Sequence, residues 1–161
     1  MSDDLAKEQA MILLDRALRH QMKGELADAI ILYERSLAIR ATAEAYTYLG
    51  WTYSMMNRYD EAITSCERAI EIDPSFGNPY NDIGAYLIEL DQWEEALPWL
   101  NKATTAQRYD SPQFPYLNLG RVHEHFGRYG TALTCYDRAL EIDLYYQEAL
   151  WAKYGLLGRM N

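Results

Sequence analysis

The chain repeats itself at a nearly fixed period, and that feature restricts its possible folds more than any other. Leu49-Gly50 returns as Ile83-Gly84 34 residues later, and as Leu119-Gly120 a further 36 residues on. Ala62 returns as Ala96 and Ala132, and Ala69 as Ala103 and Ala139, at the same two spacings. A looser first copy precedes them: Ala29 lies 33 residues before Ala62, and Ser36 stands where the later copies have alanine. A period near 34 describes a stack of like supersecondary units, each too small to bury its own apolar face without its neighbours.

Each copy reads as two short helices. Ser2 caps a helix over about 3–23, with Asp3 and Asp4 favourable at its positive end. Gly24 closes it in the left-handed conformation, and a second helix follows over about 25–39. The next pair spans about 43–56 and 59–72, with Asn57 taking the turn and Asp73-Pro74 ending the unit. Asn78 is the expected cap of the third pair, about 79–90 and 92–105, with Pro79 in the first turn. Pro98 lies past the first turn of its helix and predicts a kink or local adjustment. A longer connection over 108–114 accounts for the 36-residue step. The fourth pair covers about 115–126 and 129–142, with Gly127 in the turn, and a last helix over about 146–159 reads as a cap. Gly50 and Ala62 are small because the paired helices approach closely there; Tyr53, Tyr59 and Ile63 fill the remaining space.

The residues Tyr46, Leu49, Gly50, Tyr53, Ala62, Ala69 and Pro74 resemble the tetratricopeptide repeat pattern, with Tyr46 for the usual Trp and Cys66 in the usual aromatic place. The third copy keeps Tyr80, Gly84, Ala96 and Ala103 but has Arg108 for the closing proline. The fourth keeps Tyr116, Leu119, Gly120, Ala132, Tyr136 and Ala139, with Leu144 where proline is usual. The first copy has only Leu13, Ala17, Ala29 and Tyr33. The resemblance implies an all-α, right-handed α-solenoid of about four helix pairs plus a C-terminal capping helix. Its single domain would have repeats over about 10–42, 43–76, 77–110 and 113–146 and a cap over 147–161.

Composition narrows the function. The 161 residues are 49% hydrophobic and 24% charged, which suits a folded chain. The net charge of -9 argues against nucleic acid, whose phosphates demand clustered Lys and Arg, and against an anionic membrane surface. No apolar run approaches the ~20 residues that span a bilayer. The acidic start, Met1-Ser2-Asp3-Asp4, is unlike a signal peptide and points to a cytoplasmic protein. Cys66 and Cys135 sit on different repeats among apolar neighbours and read as buried thiols. His123-Glu124-His125 lacks the four-residue histidine spacing of zinc proteases, and His123 and His20 occupy packing positions. Nothing pairs carboxylates for acid–base work and no phosphate loop is present. The expectation is a non-enzyme with no cofactor or metal.

In this repeat family the first helix of each pair lines a concave groove, and the resemblance carries that over here. The groove set is Met11, Leu14, Leu18, Tyr48, Trp51 and Met55 from the first two copies, and Asn81, Asp82, Asn118, Arg121 and His125 from the last two. The first half is apolar and adaptable, the second polar and directional; an amide such as Asn81 or Asn118 can both donate to and accept from a peptide backbone. One subfamily grips chaperone C-terminal carboxylates with a Lys/Asn clamp. The matching places, Leu14, Leu18, Tyr48, Asn78 and Asp82, or Thr47, Trp51, Asp82, Phe114 and Asn118, lack the two basic residues it needs. The expected function is an adaptor that holds a peptide or helix of a partner protein, basic or neutral and with apolar anchors. The alternative is a homo-oligomeric scaffold assembled through apolar terminal helices such as the one carrying Leu150, Trp151, Tyr154, Leu156 and Leu157.

Overall fold

A computed structural model describes residues 2–161. They form nine α-helices: α1 (Asp3–Met22), α2 (Leu26–Ile39), α3 (Ala43–Met55), α4 (Tyr59–Ile72), α5 (Asn78–Glu89), α6 (Trp93–Thr104), α7 (Gln113–His125), α8 (Tyr129–Ile142) and α9 (Gln147–Met160). These divide into two compact units, one ending at Pro74 and one running from Ser75 to Asn161. No helix among the described residues is long and apolar enough to cross a membrane.

The first unit holds α1–α4. The Ser2 and Thr42 hydroxyls accept hydrogen bonds from Leu5 N (3.3 Å) and Ala45 N (3.2 Å), satisfying donors that a helix start leaves open. Its core gathers Leu13, Ala17, Ala29, Leu32, Tyr33 and Leu49. Ser36 replaces the repeat alanine for a visible reason: its buried hydroxyl donates to the Ala10 carbonyl at 2.7 Å and ties α2 to α1.

The second unit holds α5–α9, with a core of Leu117, Ala132, Tyr136, Ala139, Leu140, Ala149 and Leu156. The extra residues between α6 and α7 double back beside the entry to α5. There Arg108 N donates to Ser75 O at 3.0 Å, Gly77 N donates to Arg108 O at 2.9 Å, and the Arg108 guanidinium lies 4.1 Å over the Phe76 ring. This pairing moves the start of α5 by one residue, so that Gly77 is the cap and Asn78 the first helical residue. The helix α6 runs unbroken through Pro98, which is exposed, so water can replace the hydrogen bond the ring removes.

All four hairpin turns use one device. A residue with positive φ (Gly24 +78°, Asn57 +58°, Asp91 +60°, Gly127 +75°) lets the next N–H reach back to a carbonyl in the last helical turn. The four bonds are Glu25 to His20, Arg58 to Tyr53, Gln92 to Leu87 and Arg128 to His123, at 2.8–3.0 Å. Asp91 is the member the sequence reading did not single out.

Candidate functional site

In the first unit the expected site residues come from α1 and α3. Met11, Trp51 and Met55 are exposed, Trp51 by 39%, while Leu14, Leu18 and Tyr48 are half-buried. The Tyr48 ring stacks on Tyr33 at 6.3 Å, so it is held as well as presented. Behind them lies a small polar core that the repeat pattern does not announce. Fully buried Tyr33 donates its hydroxyl to Gln21 Oε1 at 2.7 Å, and Gln21 Nε2 donates to the Met55 sulfur at 3.4 Å. Burial, then the neighbouring Tyr48, push the Tyr33 phenol well above its ordinary range. Gln21 thereby fixes one end of the Met55 side chain and leaves the rest of it open.

In the second unit the expected residues fall on α5 and α7 and form a continuous polar chain. Asn118 Nδ2 donates to Asn81 Oδ1 at 3.0 Å, and Arg121 Nη1 donates to Asn118 Oδ1 at 3.2 Å. Asn81 also hydrogen-bonds the Asp82 carboxylate. Both amides are buried, exposed by only 6% and 8%. Their hydrogen-bonding capacity is thus spent largely on each other, and the groups at the two ends of the chain are a carboxylate and a guanidinium. Asp82 is half-buried, and burial pushes its pKa up to about 7 against the opposing Asn81 hydrogen bond. Tyr109, from the connection before α7, feels the Asp82 charge and is itself raised mainly by burial. Tyr146 is pushed up to about 12 by burial and then Glu148, while Arg121 pulls it down. Sequence reasoning missed both tyrosines because neither lies on a first-helix groove position.

His125 stacks on Trp93 at 4.1 Å between ring centres and only 7° from parallel. Together with Arg121, Glu124, Tyr129 and Arg159 these residues line a cavity of about 280 Å³. Trp93, Tyr129 and Arg159 come from three other helices, and nothing in the spacing of one repeat links them. Glu124 occupies the repeat position of Gln21, as Tyr136 does that of Tyr33. Here the carboxylate pairs with Arg159 at 2.9 Å, and the buried Tyr136 hydroxyl has no hydrogen-bond partner among the described residues.

His123 lies apart from His125, 3.4 Å from Arg128, and burial then Arg128 lower its pKa. His20 is paired with Glu25 at 3.0 Å, and with Asp28 it brings three possible metal-ligand atoms within 4.8 Å on an open hairpin turn. Cys66 and Cys135 form no disulfide.

The second-unit geometry makes one stability result specific. Asn118→Ala strands the Asn81 carbonyl and frees Arg121 at a buried site, and is expected to cost about 1–3 kcal/mol. Denaturant melts check it, and an unchanged midpoint would mean the chain of amides is not formed in solution.

Two family models described as tetratricopeptide repeat match the chain, one over residues 43–76 and one over 77–144. The chain belongs to the tetratricopeptide repeat family. Solved structures agree on the fold, an all-α helical solenoid. The repeat protein is similar to PilF of Pseudomonas aeruginosa, 19% identical, with a TM-score of 0.89 over 96% of this chain and 70% of that one. It is similar to YrrB, described as having an unusual peptide-binding site, at 23% identity and a TM-score of 0.69 over 96% and 79% of the two chains. It is also similar to the first such domain of Spaghetti (RPAP3) bound to the HSP90 peptide SRMEEVD, at 21% identity and a TM-score of 0.66 over 73% and 92%.

Proposed function

We propose that this tetratricopeptide repeat protein is a non-enzymatic adaptor that takes a peptide segment of a partner protein on the first-helix faces of its units. The observation that carries the reading is the Asp82–Asn81–Asn118–Arg121 chain, whose two amides are buried and which ends in a half-buried carboxylate with a pKa raised by burial. Carboxylates whose pKa is strongly shifted by burial cluster at functional sites. Exposed Trp51 and Met55 on the first unit supply aromatic and adaptable apolar contacts of the kind that anchor partners.

Charge sets the class of ligand. The Spaghetti relative is described with SRMEEVD, a peptide with three carboxylate side chains. This chain carries a net charge of -9 and places Asp82 where a basic group would serve such a ligand. The partner segment is therefore basic or neutral, with one or two apolar anchors, and its association weakens as salt screens the attraction.

Screening a random peptide display library against the full chain tests this. Enrichment of Lys- or Arg-bearing peptides with an apolar anchor is the expected result, and an acidic consensus overturns it. Trp51→Ala should weaken the selected peptides by about tenfold or more, as hot-spot aromatics do. Because Trp51 is exposed, its helical content and melting midpoint should stay near those of the parent. Unfolding by this variant would instead make Trp51 part of the core.

A further inference from the structure

In each of the four helix pairs the first helix is covered by the second, and in three of them a glycine of the first helix lies against that covering helix. A Cβ at Gly50 would meet the Ala62 carbonyl and Cys66; one at Gly84 would overlap Leu100; one at Gly120 would overlap the Tyr136 ring. The helix α9 has no such covering helix among the described residues. It buries Ala149 and Leu156 on one side and leaves Trp151 66% and Tyr154 62% exposed on the other. Gly155 and Gly158 share that open side, and a Cβ at either would meet nothing.

The four positions 151, 154, 155 and 158 follow the three- and four-residue spacing of one helical face. Large residues occupy its first half and glycines its second. Such a face is complementary to itself when two copies run antiparallel, with Trp151 over the partner's Gly158 and Tyr154 over the partner's Gly155. We propose that α9 is a self-association surface that pairs antiparallel with α9 of a second copy of this chain.

Three observations commit the face to a second copy. The molecule already seats tyrosine rings on glycines, Tyr136 on Gly120 and Tyr109 on Gly77. Glu148 stands at the start of α9 and Arg159 at its end, so antiparallel pairing sets opposite charges together at both ends; the Arg159 side chain remains 63% exposed despite its bond to Glu124. The available area also suits a reversible dimer. Aromatic side chains carry roughly 150–250 Å² each. The exposed parts of Trp151 and Tyr154 thus offer on the order of 250 Å² per copy, a small contact of the size that weak, transient association uses.

Sedimentation velocity of the full chain from about 5 to about 500 μM tests for a weak, reversible dimer. The parent is expected to shift from monomer to dimer. Gly155→Glu should weaken the dimer at least about tenfold while raising helix propensity, since its Cβ has open space in the monomer. Trp151→Ala should weaken it comparably without loss of helical content. A parent that stays monomeric throughout, leaving the face for a different protein, overturns the proposal. So does a dimer that both variants leave intact. Retained binding of peptides selected on the parent by Gly155→Glu separates this surface from the peptide site.

Discussion

Gly120→Leu is expected to cost about 3 kcal/mol or more, the upper end of what overpacking does, and to lower the melting midpoint by about 6–12 °C for a chain of this size. A Cβ at Gly120 would overlap the Tyr136 ring, and that ring is fully buried, so it cannot swing into solvent to make room. The helices α7 and α8 must separate, or the ring must leave its rotamer. Tyr136→Ala alone should cost about 3–5 kcal/mol by leaving a cavity. Since leucine at 120 would occupy part of that cavity, the double variant should lose less than the sum of the two, by at least about 1 kcal/mol. Gly130→Ala is the internal control. It lies in α8 with open space where its Cβ would stand, and should be neutral or gain up to about 1 kcal/mol from reduced chain entropy. Strict additivity of Gly120→Leu and Tyr136→Ala would show that the two residues are not in contact.

That contact illustrates what the sequence could reveal. A small residue recurring every 34 to 36 positions locates the close approaches of the helix pairs, because only bulk near the crossing is forbidden there. Helix ends were legible to within one or two residues, since Gly24, Asn57 and Gly127 each mark a turn that needs positive φ. Asp91 does the same work but does not stand out, because aspartate has many other uses at a helix start. The side chains of the candidate site were harder. First-helix positions placed Asn81 and Asn118 on the correct helices, yet spacing cannot show that two amides 37 residues apart hydrogen-bond each other instead of remaining open. Tyr109 arrives beside Asp82 through the irregular connection that pairs Arg108 with Ser75 and Gly77, outside the repeat altogether. Gln21 and Glu124 occupy one repeat position with opposite outcomes. A neutral amide accepts from Tyr33, whereas the carboxylate turns to Arg159 of α9.

Asp82→Asn should make the protein more stable and worse at binding. The Asp82 pKa rises from 3.8 to about 7 on folding, through burial that its bond to Asn81 only partly offsets. The folded state therefore holds this proton more tightly than the unfolded chain does. Its contribution to stability is fully present below pH 3.8, declines as the pH rises, and is lost above about 7. At pH 8 the buried charge is carried by the folded protein at a cost of up to about 4 kcal/mol. Asparagine keeps the shape and can still hydrogen-bond Asn81, but carries no charge. Melts at pH 8 should thus show a higher midpoint for the variant, and melts at pH 4 should show little difference. Binding should change in the opposite sense. A lysine or arginine side chain of a selected peptide pairs only with the ionised carboxylate, so parent affinity should rise from pH 5 to pH 8, with a proton released on binding below about pH 7. In Asp82→Asn the affinity should fall and this part of its pH dependence should vanish. The same substitution lowering the midpoint at pH 8 would place Asp82 in a stabilising ion pair and remove the reason to expect a basic ligand beside it.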